Sequence, residues 1–178
     1  MKIYVYPTDV MGCGYYRLIW PAEALQKLGY DITICLPGEP STIHVEVNGE
    51  GVIENLEIPN DADVIVFQRV TRKVQAQIFP LIRARGVAVV MDIDDDLSRI
   101  HPANPVFKSL HPNNVKNDVN GHSWKNAIEA GKNATLVTVS TEPLLQRYAP
   151  LNRGKGCRYL VIDFEHPCPK STRLRDSY

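Results

Sequence analysis

Residues 87–100, VAVVMDIDDDLSRI, join an apolar, Val-rich run directly to a cluster of aspartates. Such a near-continuous apolar run is typical of a buried parallel strand. Open α/β sheets bind ligands just beyond the carboxyl ends of their strands. We therefore expect a cleft whose rim carries the carboxylates of Asp92, Asp94, Asp95 and Asp96. Because neighbouring carboxylates repel one another, a cation, hydrogen bonds or a polar ligand must offset the repulsion. A solvated strand-to-loop turn is the alternative.

Strand-like and helix-like segments alternate along the chain. Apolar, β-branched runs predict parallel strands at 2–7, 31–36, 63–67, 87–91 and 135–139. Helical spacing predicts helices at 15–28, 71–85, 123–131 and 141–148. Weaker signals predict a small hairpin or edge excursion over 42–58 and a long loop over 101–121. This order predicts a doubly wound, mostly parallel, Rossmann-like α/β sheet with helices on both faces.

Length and charge narrow the function classes. The 178 residues suit one domain, predicted over 1–150, with a basic extension over 151–178 that holds a last strand at 159–162 and then a frayed tail. The 20 basic and 20 acidic residues balance, so we expect no nucleic-acid partner. No apolar run approaches the ~20 residues of a membrane helix. The four cysteines show no metal-ligand spacing. We expect a cytoplasmic protein with reduced thiols.

The first candidate site is the loop after the first predicted strand, where Gly12 and Gly14 precede Tyr15, Tyr16 and Arg17. Glycine lets the backbone approach a ligand closely, and a helix N-terminus favours anions. Arg17 would add a bidentate contact to a phosphate or carboxylate. Because position 17 is not glycine and no acidic ribose anchor follows the second strand, we do not expect a nicotinamide dinucleotide. A tight turn that needs glycine is the alternative.

Three further strand ends complete the predicted site. Asp92 and Asp94 alternate along an extended chain, so both point to one face, where either acts as a general base toward a sugar hydroxyl or anchors hydroxyls. Mg²⁺ is another ligand that carboxylates hold. Arg69 ends the third parallel strand and is expected to reach the cleft. Ser140 and Thr141 form either an ordinary helix N-cap or hydroxyls that face the same cleft.

These segments together resemble a known family. The runs KIYVYP, GCGYYRLIWPAEALQKLGYDITI, DADVIVFQRV, VVMDIDDDL and TLVTVSTEPLLQRYAP lie in this order within residues 1–150. They are similar to the N-terminal, acceptor-side domain of GT-B-fold glycosyltransferases of the bacterial and phage group 1 type. The resemblance implies a nucleotide-sugar donor, a glycan or other hydroxyl acceptor, and no metal cofactor. It places Gly12 and Gly14 near the donor diphosphate, and Asp92 and Asp94 where relatives carry a functional His or Asp.

The family pattern continues into a second, donor-binding domain that these 178 residues do not include. We therefore expect a truncation, a fragment or one subunit of a split enzyme, with a separate C-terminal domain or a homo-oligomer as partner.

Two alternatives to the transferase stay open. Residues 92–95 resemble the nucleophile motif of haloacid-dehalogenase-type phosphatases, in which Asp92 is the nucleophile, Asp94 the acid/base and Mg²⁺ the cofactor. Against this, Asp96 stands in place of the usual Thr and three predicted strands precede the motif. The other alternative is a non-catalytic binding module.

Overall fold

A computed structural model describes residues 1–105, 107 and 122–152, and the backbone of 157–159. Its strands are β1 (Lys2–Tyr6), β2 (Asp31–Ile34), β3 (His44–Val47), β4 (Ile53–Glu57), β5 (Val64–Gln68), β6 (Ala88–Ile93), β7 (Leu136–Val139) and β8 (Cys157–Tyr159). Helix α1 has three consecutive parts, Gly12–Gly14, the π-helical Tyr15–Ile19, and Trp20–Lys27. The other helices are α2 (Lys73–Ala84), α3 (Ser123–Asn133) and α4 (Glu142–Tyr148), with a 3₁₀ turn at Leu97–Arg99.

Six strands form one parallel sheet in the order β2-β1-β5-β6-β7-β8. The order reverses between β1 and β5, because the chain runs outward to β2 on one side and to β8 on the other. Doubly wound folds bind ligands at such a switch point, beyond the carboxyl ends of the strands. The Rossmann-like α/β fold predicted from the sequence is confirmed, and β3 and β4 form a separate antiparallel hairpin.

Helices cover both faces of the sheet. On one face, the central strands pack under α2, α3 and α4 in a core that includes Ile65, Met91, Phe79, Ala130 and Tyr148. The β3–β4 hairpin lies on this face, because Leu56 belongs to the same core. Helix α1 packs on the opposite face, where Leu18 and Ala22 contact Val5 and Ile32.

Several boundaries differ from the sequence prediction by a few residues, and those of α1, β6 and β8 concern the predicted site and extension. Helix α1 begins at Gly12 rather than Tyr15. Strand β6 runs through Ile93, two residues past the predicted end, because the ladder to β5 and β7 includes the backbone of Asp92. Strand β8 spans Cys157–Tyr159 and shares only Tyr159 with the predicted last strand. The remainder of that strand, the predicted tail and most of the 101–121 loop lie outside the described residues. Within the described ranges, no helix has the length and apolar character needed to cross a membrane.

Candidate functional site

The carboxyl ends of β1, β5, β6 and β7 form the edge that carries the predicted site residues. Gln68, Asp92 and Thr138 are register partners on adjacent strands. The amide of Arg69 extends the ladder by donating to the Asp92 carbonyl at 2.8 Å. The side-chain amide of Gln68 also contacts α1, because Gln68 Nε2 donates to the Cys13 carbonyl at 3.1 Å. The glycine turn and the aspartates therefore meet at one edge of the sheet.

Arg17 and Asp92 form a buried ion pair between α1 and the sheet. Arg17 Nε donates to Asp92 Oδ2 at 2.7 Å, and Nη2 donates to Oδ1. Thr138 Oγ1 donates to the same Oδ1 at 2.6 Å. The two side chains are only 4% and 1% exposed. From the sequence we expected Arg17 to contact a ligand and Asp92 to act as a base or to anchor hydroxyls, whereas the structure pairs them with each other in the interior.

The turn of helix that carries Arg17 is unusual. Residues Tyr15–Ile19 are π-helical, and single π-helical turns occur frequently at functional sites.

The Thr138 hydroxyl that completes the Asp92 network was not among the predicted site residues, since a threonine inside a strand is an ordinary strand residue.

A second ion pair, Arg69–Asp94, lies just beyond the carboxyl ends of β5 and β6. Arg69 Nη2 donates to the two Asp94 carboxylate oxygens at 2.9 and 2.8 Å. Burial of Asp94 favours a higher pKa, but the Cys13 hydrogen bond and the Arg69 charge outweigh it, and the pKa of Asp94 is lowered. Asp94 is therefore held as a paired carboxylate beside Arg69.

Arg69 combines an unusual backbone conformation with contacts to several carboxylates. Its φ of +46° lies in the left-handed region, which is uncommon for residues other than glycine. In this conformation the guanidinium also lies 3.8 Å from Asp9 and 3.6 Å from Asp95. Asp95 is the most open member of the cluster, with 59% of its side chain exposed. Partial burial and the neighbouring charge of Asp94 raise the pKa of Asp95.

Asp9 closes the glycine loop. Its Oδ1 accepts hydrogen bonds from the amides of Met11 at 2.9 Å and Gly14 at 3.2 Å. A Cβ on Gly14 would lie 1.9 Å from the Asp9 carbonyl oxygen, whereas one on Gly12 would only touch the Tyr16 ring at 3.4 Å. Gly14 is thus required by a tight turn, and the Asp9 carboxylate occupies the place expected for a phosphate. Asp9 lies three residues before the observed start of α1 and six before the predicted start, so no N-cap pattern in the sequence marked it.

Ser140 and Thr141 have different roles, and only Thr141 is a helix N-cap. Thr141 is the N-cap of α4, since its Oγ1 accepts from the Leu144 amide at 3.4 Å. Ser140 Oγ donates to the carbonyl of Asp94 at 3.2 Å. Ser140 therefore ties the end of β7 to the acidic cluster.

Open space lies on the other side of Arg69. A groove of about 640 Å³ opens at the carboxyl ends of β1 and β5, on the sheet face that carries α2 and the hairpin. Tyr6 and Phe67 line it with rings stacked at 5.1 Å. Its polar lining comprises Thr8, Glu39, Ser41, Gln68, Arg69, Thr71, Arg72 and Gln75. No sequence pattern indicates this groove, because its walls come from the loop after β2, the hairpin and the start of α2.

In the part of the chain that the structure describes, no group of three or more His, Cys, Asp or Glu side chains is arranged to hold a metal ion. No protein-family model matches this chain, and no curated protein matches it significantly.

Proposed function

We propose that this chain is a sugar-recognition domain, the acceptor-side half of a nucleotide-sugar-dependent glycosyltransferase, and that its hydroxylated ligand binds in the groove beside Arg69. The position and size of the groove carry this proposal. It lies at the switch point of the sheet, where this fold class binds ligands. Its volume of about 640 Å³ falls within the roughly 300–1,000 Å³ of small-molecule sites.

The lining suits a neutral, polyhydroxylated ligand. Sugars present hydroxyl groups at their edges and C–H groups on their faces, and the Tyr6 ring, which stacks on the buried Phe67, lines the groove as a flat apolar surface for such a face. Glu39, Arg72 and Gln75 supply donors and acceptors at the groove wall.

The charges that line the groove also favour a neutral ligand. No ion pair with another described residue engages Glu39 or Arg72, and these two side chains are opposite in sign. The positive charge of Arg69 is compensated by Asp94 at 2.8 Å. A groove with such balanced charge favours hydroxyl groups over a polyanion.

Transfer requires a base for the acceptor. The base takes the hydroxyl proton as the oxygen attacks the anomeric carbon of the donor, and the nucleoside diphosphate leaves with the bonding electrons. Asp95 fits this role better than Asp92 or Asp94, because its side chain is exposed and its pKa is raised. It lies 3.6 Å from the Arg69 guanidinium, which lines the groove.

The geometry weighs against the phosphatase alternative. A nucleophilic Asp92 needs a free carboxylate oxygen, yet Arg17 and Thr138 engage both oxygens and only 1% of the side chain is exposed. Releasing it would leave Arg17 as an unpaired charge in the interior, which is strongly unfavourable. A binding module without turnover is the second candidate, since both aspartates expected to be catalytic are held in ion pairs.

Titration calorimetry with a panel of neutral oligosaccharides and nucleoside diphosphate sugars tests the proposal. We expect saturable binding that Arg72→Ala and Gln75→Leu each weaken about tenfold, the loss of one hydrogen bond with a charged or polar partner. Lys73→Ala is the matched control, because Lys73 is the adjacent cation of α2 and does not line the groove. No saturable binding, or binding that Arg72→Ala and Gln75→Leu leave unchanged, refutes the groove as the sugar site.

Release of nucleoside diphosphate, measured with donor, bound oligosaccharide and a separately supplied donor-binding domain, separates the two candidates. The transferase proposal predicts release that Asp95→Asn slows while the affinity for the oligosaccharide is retained. Saturable binding without release supports the binding module instead.

A further inference from the structure

The sheet face that carries α1 is only partly covered within the described part of the chain. Strand alternation places Val64 on the same face as Val66, which packs against the Leu18 and Ala22 cluster. Strand register places further residues beside them on this face, namely Ala88, Val90 and Leu136. All five of these strand residues are half-buried.

The opposite face provides the comparison. The strand residues that alternate with this row are fully buried under α2 and α3, namely Ile65, Val89, Met91 and Val137. Parallel sheets are normally covered on both faces. The row on β5, β6 and β7 therefore forms an open apolar strip beside α1.

Helix α1 is also apolar on its outer side. Tyr16 and Trp20 are one helical turn apart and are 36% and 38% exposed, and Leu28 at the end of the helix is 74% exposed. Met11, Tyr15 and Leu25 are further exposed apolar residues of the same segment. These apolar side chains stand beside the exposed polar residues Glu23, Gln26 and Lys27 of the same helix. We call the open strip and the six apolar residues the α1 surface.

The apolar area of the α1 surface is large enough for a stable interface. The six α1 residues are 36% to 74% exposed, and at about 150–250 Å² for a whole large side chain they expose roughly 600 Å². A standard interface buries about 800 Å² per partner, of which about 56–65% is apolar. The exposed area thus matches what one partner contributes to a standard interface, and it is at the upper end of the largest patches on monomers.

We propose that a second copy of this chain covers the α1 surface, so that the two α1 helices pack side by side across a two-fold axis. A two-fold interface requires one patch that is complementary to itself. The α1 surface meets this requirement, because it offers both an outward apolar helix and a strip that accepts one. From β5 to β7 the strip spans two strand spacings, about 10 Å, close to the ~10–12 Å diameter of a helix.

The proposed dimer interface lies next to the carboxyl ends of the strands, where the predicted site residues are. Tyr16 belongs to the α1 surface, and its hydroxyl lies 3.8 Å from Cys13 Sγ beside the Arg69–Asp94 pair. The formal net charge of zero adds no long-range repulsion between copies. This inference does not depend on the proposed sugar binding, since the groove lies on the other face of the sheet.

Sedimentation velocity of the full chain from about 1 to 100 µM tests the dimer. We expect a monomer–dimer equilibrium whose dissociation constant rises at least about tenfold in Trp20→Glu and in Leu28→Glu. Leu81→Glu is the matched control, because Leu81 is 40% exposed on α2 at the opposite face. A monomer at all concentrations overturns the proposal, as does a dimer that Leu81→Glu weakens as much as the two α1 variants.

A second measurement covers the case in which a charged variant fails to fold. The chain has two tryptophans, so Trp124→Phe leaves Trp20 as the reporter. Its emission should shift to longer wavelength on dilution, as the dimer dissociates and Trp20 becomes hydrated. Emission that does not change with concentration overturns the proposal.

Discussion

The buried Arg17–Asp92 pair should dominate the stability of the carboxyl edge. Asp92→Ala removes the acceptor of two Arg17 hydrogen bonds and one from Thr138. Because the Arg17 side chain is 4% exposed, water cannot replace the lost partner. We expect a loss of about 3–5 kcal/mol in the free energy of unfolding, the cost of leaving a buried charge unpaired.

Urea denaturation measures this loss as a lower midpoint at an unchanged slope. Asp31→Ala is the matched control, since it breaks the Lys2–Asp31 pair, whose side chains are 20% and 64% exposed, and should cost no more than about 1 kcal/mol. The double variant Arg17→Met/Asp92→Leu should recover much of the loss, because no charge is left in the interior. A single-variant loss as small as that of Asp31→Ala, or a double variant no more stable than Asp92→Ala, would refute this reasoning.

Two more predictions concern the same edge. Gly14→Ala should destabilise the chain by about 1–3 kcal/mol or more, because the added Cβ would lie 1.9 Å from the Asp9 carbonyl oxygen. Gly12→Ala is the control and should be tolerated, because the nearest contact of its Cβ is 3.4 Å. Thermal unfolding of both variants measures the difference. Equal losses in the two variants would contradict the tight-turn role of Gly14. The lowered pKa of Asp94 predicts a contribution to stability that is complete above its unfolded pKa of about 4 and is lost as the pH falls below that value. Unfolding measured from neutral to acid pH should show a smaller acid loss in Asp94→Asn, and an unchanged profile would contradict the pairing with Arg69.

The parallel sheet was predictable because its signals are local. The Val-rich run before Asp92 and the alternation of strands and helices require only sequence neighbours. The partners of the acidic cluster were not predictable in the same way. Arg17 and Asp92 are 75 residues apart, and their contact forms only when α1, with its π-helical turn, packs on the sheet.

The groove shows a different limit of sequence reasoning. Arg72 and Gln75 look like ordinary exposed helix residues, and only the packing of the hairpin beside α2 makes them part of a wall. Asp95 was one of the predicted site residues, but the residues next to it in the sequence gave no reason to prefer it to Asp92 as the base. The preference came from exposure, which depends on which carboxylates the arginines engage.

The Asp9 carboxylate at the start of α1 has a consequence for ligand selectivity. It is tethered to the chain, so it competes for the Gly14 amide at a far higher effective concentration than any free anion. A phosphorylated ligand approaching the glycine turn would meet both repulsion and an occupied donor. The chain therefore carries its own competitive anion at this end of the helix, which steers charged phosphate groups away from the turn.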